Sequence, residues 1–281
     1  MTAAARTLIG VDFSSAPSPR KPITVAVGQL TIGRRPVYLL ETIRELASLA
    51  DFERLLAEPG SWIGGFDLPF GQPRSLIEHE GWPTDWPAFV QFFCSQPREM
   101  LRETFRQWCN ARPVGDKFAW RKTDKPAGSS PAMRWTNPPV AWMMHAGIGR
   151  MLAAGLRFPA HEQPQRPSRR RRIAVEAYPG FTARQVVRGS YKSDTPASQT
   201  ADRRQRRRQI LEAAIEAAAG LTVRLEASPT WRRRMLVDGR GDLLDAVLCS
   251  LQAGHAAIQP RFGLPLDLDP LEGWIASVPV Q

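Results

Sequence analysis

The fold is decided by a stretch near the N-terminus, Leu8-Ile9-Gly10-Val11-Asp12-Phe13-Ser14-Ser15-Ala16. Its apolar residues predict a central β-strand that ends in a turn of small hydroxyl residues. The strand carries one acid, Asp12, whose unpaired charge is costly in or beside a low-dielectric interior. Such an acid is neutralised by a partner, a proton or a bound cation. We expect a bound cation at Asp12, with further carboxylates brought to it by the rest of the chain.

The residues that follow predict a sheet around this first strand. Two more strands, a helix and a fourth strand follow in order, at residues 23–27, residues 37–40, a helical stripe from Leu46 to Leu56, and residues 62–66. Short connections make the first three strands an antiparallel meander, and the fourth can lie parallel to the first. This order is typical of the opening half of an RNase H-like α/β fold, a mixed β-sheet flanked by helices.

The middle of the chain predicts a mostly helical insertion, at about residues 81–160, within a single domain spanning residues 1–281. Two helices are predicted there, at residues 98–108 and 140–152. The insertion holds six of the nine tryptophans, Trp82, Trp86, Trp108, Trp120, Trp135 and Trp142. Such residues can stack on bases, but a core of their own is the favoured interpretation. A flexible loop rich in Arg and Pro is predicted at about residues 161–172.

The last third predicts two strands and two helices. A strand at residues 173–178 carries Glu176 and is stopped by Pro179-Gly180. Thr195-Pro196 predicts a helix start, from which a helix runs to Gly220. Residues 221–225 predict a short strand. The final predicted helix covers residues 242–257.

Composition places the chain among globular proteins of a reducing compartment. No apolar run is long enough to span a bilayer, and residues 1–7 are too short for a secretory signal. The three cysteines, Cys94, Cys109 and Cys249, are odd in number and lack metal-ligand spacing. We therefore expect no membrane association and a cytoplasmic location. The oligomeric state stays open.

The net charge of +11 is concentrated in arginine clusters. Thirteen arginines, more than the whole excess, form three groups: Arg166 with Arg169 to Arg172; Arg203, Arg204 and Arg206 to Arg208; and Arg232 to Arg234. Basic clusters on a nearly neutral body favour a polyanionic partner, of which nucleic acid is the first candidate. Solvated surface loops are the alternative, because arginine runs alone are weak indicators.

Acidic residues recur in one setting, at the end of an apolar element beside a turn: Asp12, Asp67, Glu176 and the pair Asp242/Asp245. The pair shares one face of its helix, opposite the leucines that would pack on the sheet. Carboxylates without a His/Cys cluster select a hard cation, Mg²⁺ or Mn²⁺. Two such ions, roughly 3.5–4 Å apart, would activate a water and stabilise the leaving oxygen of a phosphodiester.

Structural explanations remain open for three of these acids. Asp242 could cap its helix, Asp67 could form an Asx-type turn, and Glu176 could pair with an arginine at the edge of the core. Asp12 is the hardest to explain in this way, because Ser14 and Ser15 already suit the turn that follows the strand.

The motifs around these acids resemble those of an uncharacterised family. They are Gly10-Val11-Asp12-Phe13-Ser14-Ser15-Ala16, Gly65-Phe66-Asp67-Leu68-Pro69-Phe70-Gly71, Val175-Glu176-Ala177-Tyr178-Pro179 and Asp242-Leu243-Leu244-Asp245-Ala246. The family is known as domain of unknown function 429 and is described as predicted nucleases of RNase H-like fold. The resemblance spans nearly the whole chain. It implies that fold, a nuclease activity, and Asp12, Asp67, Glu176 and Asp245 as the residues of a metal site.

A divalent-metal-dependent nuclease is thus the leading prediction. Asp12 and Asp67 would hold one ion, Asp245 with Asp242 the second, and Glu176 would bridge the ions or orient the water. The candidate substrate-binding residues are Ser14, Lys192, Arg121 and Arg134. Lys192, Arg121 and Arg134 would contact the scissile phosphate with their positive charges. The alternative for each is an exposed side chain on a loop that binds nothing.

Two other classes of function are compatible with the sequence. A phosphotransferase or ATPase of the related actin-like architecture also carries an acid before a hydroxyl-rich turn. It needs a second Gly-rich phosphate loop, and Gly239-Arg240-Gly241 is short and leads straight into acids. A non-catalytic nucleic-acid-binding protein would use the arginines but gives no reason for the acids. The choice between DNA and RNA is open.

Overall fold

A computed structural model describes residues 5–162, 171–218 and 220–279. The described residues form a six-stranded mixed sheet with the order β5-β4-β1-β2-β3-β6, flanked by helices on both faces. The strands are β1 (Ala5–Asp12), β2 (Ile23–Thr31), β3 (Val37–Leu46), β4 (Trp62–Asp67), β5 (Arg172–Glu176) and β6 (Arg224–Glu226). The mixed sheet predicted from the sequence is therefore present.

The first three strands form the predicted antiparallel meander. They are longer than the sequence suggested, because alternating burial continues beyond each apolar run. The predicted helical stripe began at Leu46, which instead ends β3. The helix begins after Ser48, whose hydroxyl accepts a hydrogen bond from the Asp51 N–H and so satisfies a donor of the first turn.

Strands β4 and β5 extend the sheet in parallel on the other side of β1. Asp12 lies beside Asp67 in the β1–β4 register, and Phe66 lies beside Glu176 in the β4–β5 register. Parallel strands bring their carboxyl ends to one edge of a sheet. Three of the predicted acids therefore reach the same edge.

Ten α-helices surround this sheet within the described residues. They are α1 (Leu49–Ala57), α2 (Arg74–His79), α3 (Trp86–Ser95), α4 (Arg98–Asn110), α5 (Asp124–Ala127), α6 (Val140–Ala153), α7 (Pro179–Val186), α8 (Ala201–Glu216), α9 (Pro229–Val237) and α10 (Asp242–Ile258). Short 3₁₀ segments cover Pro159–His161, Pro196–Ser198 and Pro260–Gly263. None of the helices in the described ranges is long and apolar enough to cross a membrane.

Helix α10 packs directly on β1 and β4, and two glycines make this approach possible. A Cβ on Gly10 would lie 2.0 Å from the Ala246 carbonyl oxygen, and one on Gly65 would lie 2.2 Å from that of Cys249. Any side chain at either position would force the helix away from the sheet. This close packing fixes the start of α10 near the ends of both strands.

The opposite face of the sheet is covered by α1 and the predicted insertion. Trp86, Trp108 and Trp142 are buried there with Ile9 and Phe66 of the sheet. Trp82 and Trp135 pack against the same core, whereas Trp120 is 36% exposed. The tryptophans thus serve mainly as core, because large aromatic surfaces supply the apolar area that an added layer needs.

Several boundaries in the last third differ from the predictions. The strand that Pro179-Gly180 was predicted to stop ends at Glu176, and Pro179 is the first residue of α7, since proline suits the first helical turn. Thr195-Pro196 opens only a 3₁₀ segment, and Thr200 caps α8. The strand predicted at residues 221–225 forms at Arg224–Glu226. Most of the loop predicted at residues 161–172 lies outside the described residues.

Candidate functional site

A cavity of about 410 Å³ opens at the carboxyl edge of β1, β4 and β5. Residues predicted for the site line it together: Asp12, Ser14, Asp67, Glu176, Lys192 and Asp242. Asp245 lies just beneath, in the first turn of α10. Arg134 is half-buried and lies outside this lining.

Asp12 and Asp67 form the centre of the site. Alternation along the strands puts both side chains on the same face as Gly10 and Gly65, toward α10. Both are half-buried. Within the described residues, neither carboxylate accepts a hydrogen bond or lies in an ion pair. Two adjacent acids are therefore held in the protein without partners.

The environment of these two acids disfavours their charged forms. Burial raises the pKa of Asp12 well above its usual range, and the negative charges of Asp245, Asp242 and Asp67 raise it further. Burial likewise raises the pKa of Asp67 to about 7, with Asp245 and Glu176 adding to the rise. The Lys192 ammonium opposes both shifts without cancelling them. Without a bound cation, the site therefore favours the protonated forms of these two acids.

Asp245 is already fully partnered. Its side chain is 0% exposed, its Oδ1 accepts a hydrogen bond from the Tyr191 hydroxyl at 2.5 Å, and its Oδ2 pairs with the Lys192 ammonium. The prediction that Asp245 ligates a second metal ion therefore differs from the geometry, because both oxygens are occupied by donors from residues 191 and 192. The acidic cluster therefore includes one cation of the protein, the Lys192 ammonium, at Asp245.

Asp242 stands at the first residue of α10 but does not cap it. The cap residue is Gly241, in the left-handed region at φ 78°. Asp238 satisfies this helix start instead, since its carboxylate accepts hydrogen bonds from the N–H groups of Arg240 and Leu243 at 3.1 and 3.0 Å. Asp242 forms an ion pair with Arg240 at 3.4 Å, and burial raises its pKa to about 6.

Glu176 points to the other side of the sheet. Its register partner Phe66 packs into the core beneath the insertion, so Glu176 faces away from α10. Its carboxylate makes two hydrogen bonds with the Arg121 guanidinium, at 2.6 and 2.8 Å, and accepts a third from the Phe70 N–H at 2.9 Å. The pKa of Glu176 is nevertheless raised, because the effect of burial exceeds the opposing effect of the Arg121 charge. The sequence left two roles open for Glu176, a bridging or water-orienting carboxylate and a partner of an arginine, and the structure shows the pairing with Arg121.

Arg121, predicted to contact a substrate phosphate, lies in a buried ion-pair network. It borders the cavity, but it is only 2% exposed and lies between Glu176 and Asp124. Its remaining N–H bonds include one to the Glu272 carbonyl at 3.2 Å. A guanidinium held in this way joins the insertion to the sheet and is not available to bind a phosphate.

The loop that carries Lys192 is held by arginines of α8. Arg207 is 3% exposed and donates to the Tyr191 carbonyl at 2.7 Å and to the Leu236 carbonyl at 3.1 Å. Arg206 donates to the Ser190 carbonyl at 3.0 Å. The sequence had grouped these residues with a nucleic-acid surface. No local sequence pattern indicates this role, because these contacts join residues 16 to 29 positions apart in the chain.

The raised pKa of Asp67 predicts a pH dependence of stability in the metal-free protein. Its folded pKa of about 7 exceeds the ordinary value of 3.8, so the folded state keeps a proton that the unfolded chain releases. The stabilisation is complete below about pH 4 and is lost as the pH rises through 7.

Relative to Asp67→Asn, the parent protein should therefore lose up to about 1.4 kcal/mol of unfolding free energy per pH unit across this window. Urea unfolding in chelator at pH 5, 6, 7 and 8 measures the difference. The exposed Asp116→Asn is the matched control. A difference that stays constant with pH would show that Asp67 titrates normally.

Fold and site together define an α/β protein with a carboxylate-lined cavity at the carboxyl edge of a mixed sheet. The chain belongs to a family of proteins of unknown function, DUF429, which matches residues 10–261. No curated protein and no solved structure matches the chain.

Proposed function

We propose that this protein is a divalent-metal-dependent nuclease that hydrolyses phosphodiester bonds at the Asp12–Asp67 site. One observation carries the proposal. Three cations that line the cavity are each paired with an acid, as Lys21–Asp194, Arg121–Glu176 and Lys192–Asp245. Asp12 and Asp67 are left as neighbouring carboxylates without a cation of their own among the described residues.

The donor set fits Mg²⁺ or Mn²⁺ bound in part by substrate. The described residues contain no group of three or more His, Cys, Asp or Glu side chains arranged to hold an ion. Mg²⁺ is commonly held by one or two carboxylates together with waters and substrate phosphates. Asp12 and Asp67 would supply the protein ligands, with Asp242 beside them at the cavity wall. The bound ion would supply a more acidic water and neutralise phosphate charge.

The remaining residues have distinct roles in this proposal. Lys192 places a positive charge beside Asp12 and Asp67, where it can attract a phosphate as a point charge. Asp245 and Tyr191 orient that lysine through the contacts described above. Ser14 lies at the cavity wall beside Asp12 and offers a hydroxyl to substrate. Arg121 and Glu176 act as scaffold.

The strand order supports an RNase H-like architecture for this site. The sequence predicted a three-strand meander with a fourth strand parallel to the first, and the described sheet has that arrangement with β5 beyond β4. An acid at the end of the first strand then stands beside one from the fourth.

The ATPase alternative is less favoured by the loop before α10. Backbone N–H groups of a Gly-rich loop would have to hold the phosphates. Here the N–H groups of Arg240 and Leu243 already donate to the Asp238 carboxylate. These two donors are therefore not free to bind a phosphate. Micromolar ATP binding with hydrolysis lost in Asp12→Asn would reverse this ranking.

A panel of labelled substrates tests the proposal. Single-stranded, duplex and junction forms of DNA and RNA should be incubated with Mg²⁺, Mn²⁺ or chelator. We expect cleavage of at least one form in metal and none in chelator. Cleavage that persists in chelator, or a panel left intact under all conditions, would contradict it.

The arginines bear on whether nucleic acid is the partner. Arg203, Arg206, Arg207 and Arg232 donate to backbone carbonyls, and Arg172 donates to those of Leu56 and Ala154. Arg204, Arg208 and Arg233 are exposed and without side-chain partners among the described residues. Part of the first cluster, at residues 166, 169 and 170, lies outside the described ranges.

Replacing Arg204, Arg208 and Arg233 with serine should weaken binding to all nucleic-acid sequences alike. Each lost phosphate contact lowers the log–log salt slope by about 0.9 for duplex DNA. Fluorescence anisotropy across a salt series measures this change. Arg34→Ser/Arg35→Ser, in the exposed turn before β3, is the control. An unaltered slope would mean that these arginines make no phosphate contact.

A further inference from the structure

The cavity has two walls of different character, and strand alternation creates them. Asp12 and Asp67 face α10, whereas the next residues, Phe13 and Leu68, face the insertion and belong to its core. Both pairs line the same cavity. Acidic and apolar surfaces therefore meet at the ends of β1 and β4.

The apolar wall is continued by the start of α6. Pro139, Val140 and Met143 line the cavity and are half-buried, so part of their surface is open to a ligand. Pro138 and Asn137, just before them, are exposed at the rim. Helix α6 packs closely on this side, because a Cβ on Gly147 would lie only 3.1 Å from the side chains of Phe13 and Leu68. The wall is therefore part of the folded core and needs no rearrangement to form.

The metal-dependent hydrolysis proposed above uses only the acidic wall. It leaves unexplained why a site for a phosphate should include an open apolar surface. The volume of about 410 Å³ lies within the range of pockets for small organic ligands, roughly 300–1,000 Å³. An aqueous phosphate or a bare metal ion would not use such a wall, whereas a nucleobase would, because every base has an apolar face.

We propose that the cavity takes one unpaired nucleotide, with its base against Pro139, Val140 and Met143 and its phosphate at Asp12, Asp67 and Lys192. This inference rests on the proposed function, which it deepens by naming single-stranded or terminal nucleotides as the substrate class. A base within a duplex is stacked and paired, so it would first have to be unpaired and extruded from the stack.

The composition of the wall also determines how selective the site is. Aliphatic and proline side chains contact a base by its face and do not read its hydrogen-bonding edge. Polar side chains of the cavity lining include Ser129, Ser130 and Asn137. Cleavage should therefore depend strongly on strandedness and weakly on base identity.

Binding of small probes tests the nucleotide site without any cleavage. Adenosine 5′-monophosphate and ribose 5-phosphate, each titrated in Mg²⁺ by calorimetry, share the phosphate and sugar and differ in the base. We expect the nucleotide to bind at least about fivefold more tightly, the factor expected from burying roughly 40 Å² of apolar base surface. Equal affinities would overturn the inference.

A pair of variants locates the base. Met143→Asn keeps a similar size but removes apolar surface from the wall, so it should lower the affinity for adenosine 5′-monophosphate at least about threefold while leaving ribose 5-phosphate within about twofold. Met100→Asn, at a position of α4 that is 58% exposed and outside the cavity, should change neither. Thermal unfolding confirms that both variants fold. An affinity for adenosine 5′-monophosphate that is unchanged in Met143→Asn, or an equal loss of affinity for both probes, would contradict the assignment of the base to this wall.

Strandedness separates this inference from the proposed function. With Mg²⁺, a labelled single strand and a duplex with single-stranded ends should be cleaved faster than a blunt duplex of the same sequence. Equal rates on all three, with equal probe affinities, would leave the nuclease standing and overturn the nucleotide pocket. Nucleotide-selective binding with no cleavage of any substrate would uphold the pocket and overturn the nuclease.

Discussion

Replacing Asp12 with asparagine is expected to abolish metal-dependent cleavage, with a fall in rate of at least about a hundredfold. Removing a residue that only hydrogen-bonds to a metal ligand already lowers metal affinity or activity roughly 10- to 100-fold, and Asp12 would be a direct ligand. The change keeps the shape of the side chain and removes only its charge. Initial rates on a labelled single strand, at matched Mg²⁺ concentration, measure the effect.

Asp116→Asn is the matched control for this experiment. Asp116 is exposed and has no ion pair within the described residues, so the same chemical change should leave the rate as it is. An Asp12→Asn protein that cleaves as fast as the parent would remove Asp12 from the site. Since Asp67 lies beside it in register, Asp67→Asn should give a loss of similar size.

The second large effect concerns stability. Glu176→Gln is expected to lower the free energy of unfolding by about 1.5–3 kcal/mol, because it weakens two charge-assisted hydrogen bonds to the buried guanidinium of Arg121 while Asp124 still neutralises that charge. The same change from acid to amide at Asp12 should cost little or nothing, since Asp12 has no partner to lose. Urea unfolding of both variants in chelator measures this contrast.

The outcome distinguishes a scaffold role from a catalytic one for Glu176. If Glu176→Gln unfolds at the same urea concentration as the parent but does not cleave, Glu176 takes part in the reaction and the ion pair is incidental. Glu162→Gln is a useful comparison, because Glu162 also binds an arginine, Arg157 at 3.0 Å, but nearer the surface. Its loss should cost less, since partly solvated ion pairs contribute little.

The sheet was predictable from the sequence because its signals are local. The apolar runs at β1, β2 and β4, separated by turns, predicted both the meander and the parallel fourth strand. Asp12 was identified for the same reason, as a single acid in an apolar strand. These inferences need only the residues of the element itself and its immediate neighbours.

Glu176 shows where such inference ends. It stands at the end of an apolar strand, as Asp12 and Asp67 do, but register sets the face on which a side chain lies. Pairing with Phe66, and not with Asp67, turns Glu176 away from the two aspartates. The register of a parallel pair depends on packing of distant segments and cannot be read from either strand alone.

The arginines and Lys192 depended on long-range contacts in the same way. Arg207 donates to carbonyls at residues 191 and 236, and Lys192 reaches Asp245 across 53 positions of sequence. Composition gave the charge of these residues without giving their partners. An arginine cluster on a helix therefore turned out to include a buried support for the loop beside the cavity.

Thermal unfolding in chelator and in increasing Mn²⁺, for the parent and Asp12→Asn, tests most directly whether Asp12 and Asp67 form a cation site. The parent should gain stability as the Mn²⁺ concentration rises over its Kd, by about 2.7 kcal/mol at 100 times Kd. Asp12→Asn should respond little, and in chelator it should melt at or above the temperature of the parent, because one of several repelling charges is gone. If the variant instead melts well below the parent in chelator and neither protein responds to Mn²⁺, the carboxylates are scaffold and the proposed metal site does not exist.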